Sequence, residues 1–455
     1  MNREPMNWQR LLSAKRLGCA GDAGKISVDR TPFQRDFDRI VFSSSFRRMQ
    51  DKTQVFPLAE HGLVRTRLTH CMETSSIARS LGSVVGASLW SHDKLENLHP
   101  SDFGGVLAAA ALAHDIGNPP LGHGGEESIR HWFTHSSEAA RIRDKMSPAE
   151  RADFEYYEGN AQGFRLLTRL EMPDQIGGMR LTCATLGTFA KYPYSSSSSA
   201  RPTWSQGHKY NFFQAEKGLF AEVARETGLI QFGEEAYCRH PLAFLLEAAD
   251  DIAYRVVDFE DAHSQGLIDY SLLEEHFLRL LEDRKVVDAL SSMSDNMRRV
   301  EYLRALVIGK LVRGVTAVFM EHEEELLNAE YHKPLLEQLD VYPVLCEIQK
   351  ISTAQIYNNI KVAEIIAAGF ELVSGMLDIL VPAVEELAEE KNGGHQASYR
   401  SRRLASVIPV HFMRLEDPEW RGSAYLRLLN ILDYLSGMTD SYAVALFKKM
   451  KGISW

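Results

Sequence analysis

The chain has 455 residues, 45% of them hydrophobic and 25% charged, and a formal net charge of −10. That balance excludes a wholly disordered chain, a collagen-like fibre and a disulfide-stapled miniprotein, and it supplies no global positive field to hold DNA or an anionic membrane non-specifically. Five scattered cysteines without a C-x-x-C pair point to a reducing compartment, the cytoplasm, and away from a zinc ribbon.

Residues 1–29 read as an N-terminal segment. Met1–Arg16 is polar and lacks the apolar core of a signal peptide. Arg35, Arg39, Arg47 and Arg48 read either as a phosphate or single-stranded nucleic-acid patch or, as their alternation with Asp36, Asp38 and Asp51 favours, as intramolecular pairs. From Arg65 the pattern turns helical, and 3.6-residue periodicity recurs over Phe103–His114, Pro241–Asp258, Tyr270–Leu281, Val300–Phe319, Ala363–Leu380 and Tyr425–Leu435. Strand-like alternation is scarce, which predicts an all-α fold. The longest apolar run, Val106–Ala113, is far below the roughly 20 residues of a bilayer span, so no transmembrane helix is expected. Tyr192–Lys209, with its five consecutive serines, reads as a flexible surface insertion, and Glu389–Ser398 as a polar loop. The candidate chemistry falls within residues 30–265. Residues 266–455 are helix-rich and poor in such clusters, which suggests packing on the core and assembly.

Three short stretches hold metal-ligand residue types. In Arg65–His70, Arg67 and His70 share a helix face. His114-Asp115 follows an apolar helix that is expected to end at Gly117, before Pro119 and Pro120; a buried His-Asp pair is costly unless paired or metal-bound. In the third, Asp250, Tyr254 and Asp258 recur every four residues and predict one polar helical stripe, on which Asp250 is a better ligand candidate than Asp251. Taken singly, these also read as a satisfied core histidine and a solvated acidic face. Together they offer two imidazoles and two carboxylates, a set that suits Mn²⁺, Fe²⁺, Ni²⁺, Zn²⁺ or, more weakly, Mg²⁺. His123 and Glu126, three residues apart, can form a proton-transfer pair or simply cap a helix.

The order H…HD…D resembles the HD-domain metal-dependent phosphohydrolases. The longer stretches 46–56, 65–70, 114–126, 158–162, 249–254 and 436–440 resemble the deoxynucleoside triphosphate triphosphohydrolases, of which bacterial dGTPase is the best known. These matches span about residues 30–443. The resemblance implies an HD phosphohydrolase fold with additional C-terminal helices, and cleavage of a dNTP, dGTP or others, to deoxynucleoside and inorganic triphosphate. It implies a metal held by His70, His114, Asp115 and Asp250, with Mn²⁺ or Mg²⁺ leading and Ni²⁺, Fe²⁺, Zn²⁺ or Co²⁺ also compatible. It implies catalysis by His123 supported by Glu126, phosphate contacts from Arg67, Lys191 and Lys209, and sugar contacts from Gln54, Tyr254 and Asp258. Asp251 departs from more distant relatives, which carry a lysine there; Lys191 or Lys209 then replaces that charge. The family also implies a homo-oligomer, a hexamer by analogy, and single-stranded DNA as a further partner, but no membrane. A 5′-nucleotidase or phosphodiesterase of HD type, and a nucleic-acid-binding relative that has lost the reaction, are the competing readings.

Overall fold

The computed structural model describes residues 4–19, 30–54, 65–200, 208–357 and 360–453. Val55 and Phe56 of the first quoted stretch, and residues 201–207 of the serine-rich one, lie outside these. Helices dominate; a short antiparallel pair, Gln231–Gly233 with Ala236–Tyr237, is the one two-stranded sheet among the described residues. The fold is all-α, with the predicted helices present.

Two helices form the floor of the candidate site. Arg67–Ser91 opens with a capping box, Thr66 Oγ1 accepting from Thr69 N while Thr69 Oγ1 accepts from Thr66 N. Pro100–Ala113 starts with proline at its first position, where a missing N–H is harmless. Small residues let the two lie close. A Cβ on Gly86 would stand 2.2 Å from the carbonyl oxygen of Pro100, so only glycine fits there. Pro100–Ala113 is buried on every face from Val106 to Ala113, as its apolar run requires. Pro32–Val41, Pro241–Ile252 and Asn296–Glu321 pack around this pair.

Two hydrophobic clusters result. The first gathers Trp8, Leu11 and Leu17 of the N-terminal segment with Val106–Ala113, Leu245, Ile252 and Val307. Trp8 stacks edge-on against Phe103, and its indole N–H donates to Glu323 at 2.9 Å. The second joins Ile129, Trp132, Phe133 and Phe154 to Leu377, Leu380, Leu428 and Leu432. Each cluster therefore draws on both sides of residue 265.

Several local expectations change. The helix before His114 ends at Ala113, and Asp115–Gly117 forms a turn. Gly117 is there for close approach, since a Cβ would meet Gly163 N at 2.1 Å. The stretch 192–198 is largely built into the protein: Tyr194, Ser195 and Ser196 are buried, and Ser196 Oγ donates to Asp153 at 2.5 Å. The arginine cluster pairs differently from expectation. Arg39 donates to the carbonyls of Met179 and Arg180, while Asp36 is taken by Arg16, Thr182 and Thr185. Ile366–Lys391 is long and apolar enough to cross a membrane by length and composition, which the apolar-run reading did not anticipate. It lies inside the longer helix Ile360–Lys391, whose Val373, Met376, Leu377 and Leu380 belong to the second core.

Candidate metal and hydrolytic site

His70 sits in the first turn of Arg67–Ser91 and is buried. His114 occupies the C-cap of Pro100–Ala113, and Asp250 lies near the end of Pro241–Ile252. Three helices thus bring three ligand-type side chains together. His70 Nε2 is 3.1 Å from Asp250 Oδ1, and His114 Nε2 is 3.5 Å from the same oxygen. Ligand atoms of His70, His114 and Asp250 all fall within 4.8 Å of one another. Asp115 Oδ2 is 3.8 Å from His114 Nε2.

The surroundings orient these groups. His114 Nδ1 lies 2.7 Å from the carbonyl oxygen of Ala111. A carbonyl only accepts, so Nδ1 carries a proton and Nε2 is the nitrogen turned toward the carboxylates. That Nε2 is buried and has no hydrogen-bond partner among the described residues. An orphaned imidazole nitrogen beside two carboxylates fits a divalent cation, and a carbonyl on the far ring nitrogen is the usual support for a metal-ligating histidine. Asn118 Nδ2 donates to Asp115 Oδ1 at 2.8 Å, and Arg67 donates to Asp115 Oδ2. Burial alone pushes the Asp115 carboxyl up, but Arg67, His114 and His70 outweigh it and hold the group below the usual carboxylate range.

Cys71 carries no signal in the sequence beyond standing next to His70. Its sulfur is fully buried and 3.7 Å from His114 Nδ1, and with His114 and Asp115 it forms a second group of ligand atoms within 4.8 Å. Burial pushes its thiol up. A neutral thiol beside the protonated ring nitrogen packs behind His114, so the His/Asp set is the better metal cradle.

His123 and Glu126 open the helix His123–His135. His123 Nδ1 is 2.8 Å from Glu126 Oε2 with the ring exposed, whereas Glu126 is buried. The other carboxylate oxygen accepts from Gly159 N at 2.8 Å. The hydrogen bond that His123 donates to Glu126 raises the imidazole above its ordinary value. Glu126 falls to about 2 because His123 overcomes the effect of burial.

The remaining predicted residues fall around this centre. Arg67 is buried and also donates to Thr53 O at 3.0 Å. Gln54 follows Thr53, and its Oε1 is buried without a hydrogen-bond partner among the described residues. Lys209 Nζ is 3.2 Å from Glu158, and Lys191 Nζ is 3.4 Å from Glu247, one turn before Asp250. Asp251 instead pairs with Arg255 at 3.2 Å. The polar stripe through Tyr254 and Asp258 is not one α-helix. Residues Ala253–Val257 form a π-helical turn, and Asp258–Ser264 resumes the α-helix. The wider turn absorbs an extra residue, so the spacing from Asp250 to Tyr254 and Asp258 is not that of a plain α-helix. Asp258 is buried.

The HD domain family model matches residues 67–154, which include His70, His114, Asp115, His123 and Glu126. Along its whole length the chain resembles deoxyguanosinetriphosphate triphosphohydrolase-like proteins. One from Synechocystis sp. is 40% identical over 99% of this chain and 100% of its own. Another from Pseudomonas aeruginosa is 38% identical over 99% of both chains. A protein of Enterobacter sp. named deoxyguanosinetriphosphate triphosphohydrolase is 30% identical, again over 99% of both. The helical fold and the histidine–aspartate cluster are those of an HD-domain protein. Within that class, the chain belongs to the deoxyguanosinetriphosphate triphosphohydrolase-like family.

Proposed function

We propose that the protein hydrolyses deoxynucleoside triphosphates, dGTP among them, to deoxynucleoside and inorganic triphosphate. The observation that carries this reading is the orphaned Nε2 of His114, aimed at Asp250 beside His70, in a family whose named members include triphosphohydrolases. A divalent ion, Mn²⁺ or Mg²⁺ by preference, held by His70, His114, Asp115 and Asp250, would supply charge neutralisation at the α-phosphate and an oriented water.

The side chains do the rest. A water oxygen bonds to the α-phosphorus, the bond to the 5′ oxygen breaks, and a proton ends on the new 5′ hydroxyl. His123 is the donor of that proton: Glu126 keeps the imidazole charged to higher pH than usual. Arg67, Lys191 and Lys209 bring cations to the triphosphate. Gln54, Tyr254 and Asp258 form the sugar-facing set, and Gln54's unpaired buried oxygen is ready to accept from a sugar hydroxyl. Homo-oligomeric assembly and single-stranded DNA binding rest on the resemblance alone; sedimentation and filter binding test them.

The test is a product assay with each dNTP and NTP in Mn²⁺ or Mg²⁺. Deoxynucleoside with intact triphosphate, from dNTPs only, is the expected result. Orthophosphate or pyrophosphate would move the protein to another hydrolase class. No product under any condition, with tight DNA binding, would support the binding-protein reading.

A further inference from the structure

Asp440 is separated from the HD segment by some 300 residues of chain, yet it binds two of the loops that frame the site. It is 2% exposed and begins the helix Asp440–Met450. Its Oδ1 accepts from Leu121 N at 2.9 Å. Its Oδ2 accepts from Thr53 N at 2.8 Å and from Thr53 Oγ1 at 2.6 Å. A carboxylate is an acceptor only, so it suits three converging donors that an amide cannot all serve.

What it holds matters for the chemistry. Leu121 has φ +64° and Gly122 φ +56°, and His123 follows directly as the first residue of its helix. A leucine in the left-handed region is strained and persists only where its surroundings hold it. Asp440 supplies that hold at the Leu121 amide. On the other side, Thr53 O receives Arg67, and Gln54 is the next residue. A second fastening runs parallel: Lys52 Nζ donates to Asn118 O at 2.6 Å and to Ser436 O at 2.7 Å. The C-terminal helices thus grip both ends of the 118–122 turn.

We propose that Asp440 is a positioning residue, which sets the aim of His123 through the Leu121–Gly122 turn and of Gln54 and Arg67 through Thr53. It touches no predicted metal ligand. The claim about turnover rests on the dNTP hydrolysis proposed above; the claim about geometry does not. Asp440→Asn puts an N–H against donors and frees at least one of them.

The experiment compares wild type, Asp440→Asn and, as a neighbouring control, Ser441→Ala. Three readouts are taken: kcat and KM for dGTP per metal-loaded site, thermal midpoint, and the NMR titration of His123. Asp440→Asn is expected to lower kcat by about 10- to 100-fold, the scale of a small misplacement of a reacting group, with KM changed less than about threefold and metal content unchanged. His123 should titrate closer to its ordinary value as its pairing with Glu126 loosens. Ser441→Ala should match wild type. A lower midpoint with kcat per folded site and His123 titration both unchanged would overturn the proposal, leaving Asp440 a stability residue. If wild type turns over no dNTP, the functional reading fails, and the His123 titration still decides the geometric claim. If Asp440→Asn does not fold, Thr53→Val, which removes one donor and keeps the amide, carries the same readouts.

Discussion

His114 points one ring nitrogen at the carbonyl of Ala111, 2.7 Å away in its own helix, and the other at Asp250. The helix end therefore fixes which ring nitrogen faces the carboxylates. Replacing His114 with alanine should abolish metal retention and turnover together, read by metal analysis after dialysis and by the product assay. Turnover surviving the loss of metal would remove His114 from the ligand set.

His123 is the expected proton donor, so His123→Ala should leave metal bound and slow hydrolysis by about 10²–10⁴-fold. The pH dependence follows from the pair. His123 is raised above 6.5, so its contribution to stability is complete below about pH 6.5 and is lost as pH rises through the raised value. Glu126 is lowered from 4.5 to about 2, so its contribution is present above about pH 4.5 and fades as pH falls toward 2. Glu126→Gln should return His123 toward 6.5 and shift the alkaline limb of the rate profile to lower pH. An unmoved limb would take proton donation away from His123.

Lys52 is buried between two carbonyls, and burial, reinforced by Arg67, pushes its ammonium down to about 7. Between about 7 and 10.5 the native state binds fewer protons here than the unfolded chain, so stability rises with pH across that window. Lys52→Met should flatten the slope and cost about 1–3 kcal/mol for each carbonyl left unpaired. Urea titrations at pH 7 and pH 9 measure both. Equal stability of variant and wild type at both values would contradict the assignment.

Arg165 is buried against Asp433 and Glu216, each 2.7 Å away, and also donates to Asn430. It ties the helix Gly159–Arg165 to Ala424–Ser436. Arg165→Leu takes the shared cation from two buried carboxylates, leaving Glu216 with Arg169 and Asp433 with Gln162, and should cost about 3–5 kcal/mol. Arg165→Leu with Asp433→Leu and Glu216→Leu should recover much of that loss, because the penalty lies in the unpaired charges. A lasting deficit in the triple variant would instead point to lost packing.

The order of the ligand residues, the helical periodicity and the proton-transfer pair were legible in the chain because each is local. His114 follows an apolar run, and His123 and Glu126 stand one helical turn apart. Periodicity reads the helix but not its local winding: Ala253–Val257 is a π turn, and no composition signal marks it. Burial of Tyr194 to Ser196 was hidden because the partners lie elsewhere in sequence: Ser195 N donates to Glu235 O, and Ser196 Oγ to Asp153.

The family was legible without coordinates, since two histidines and two aspartates in that order are a pattern of the chain alone. Only the tertiary structure decided which nitrogen of His114 is free, that Cys71 stands behind it, and that Asp440 and Lys52 brace the turn before His123. Those relationships depend on contacts between separate segments, hundreds of residues apart for Asp440 and for Lys52 with Ser436. Side-chain spacing within one segment does not encode them.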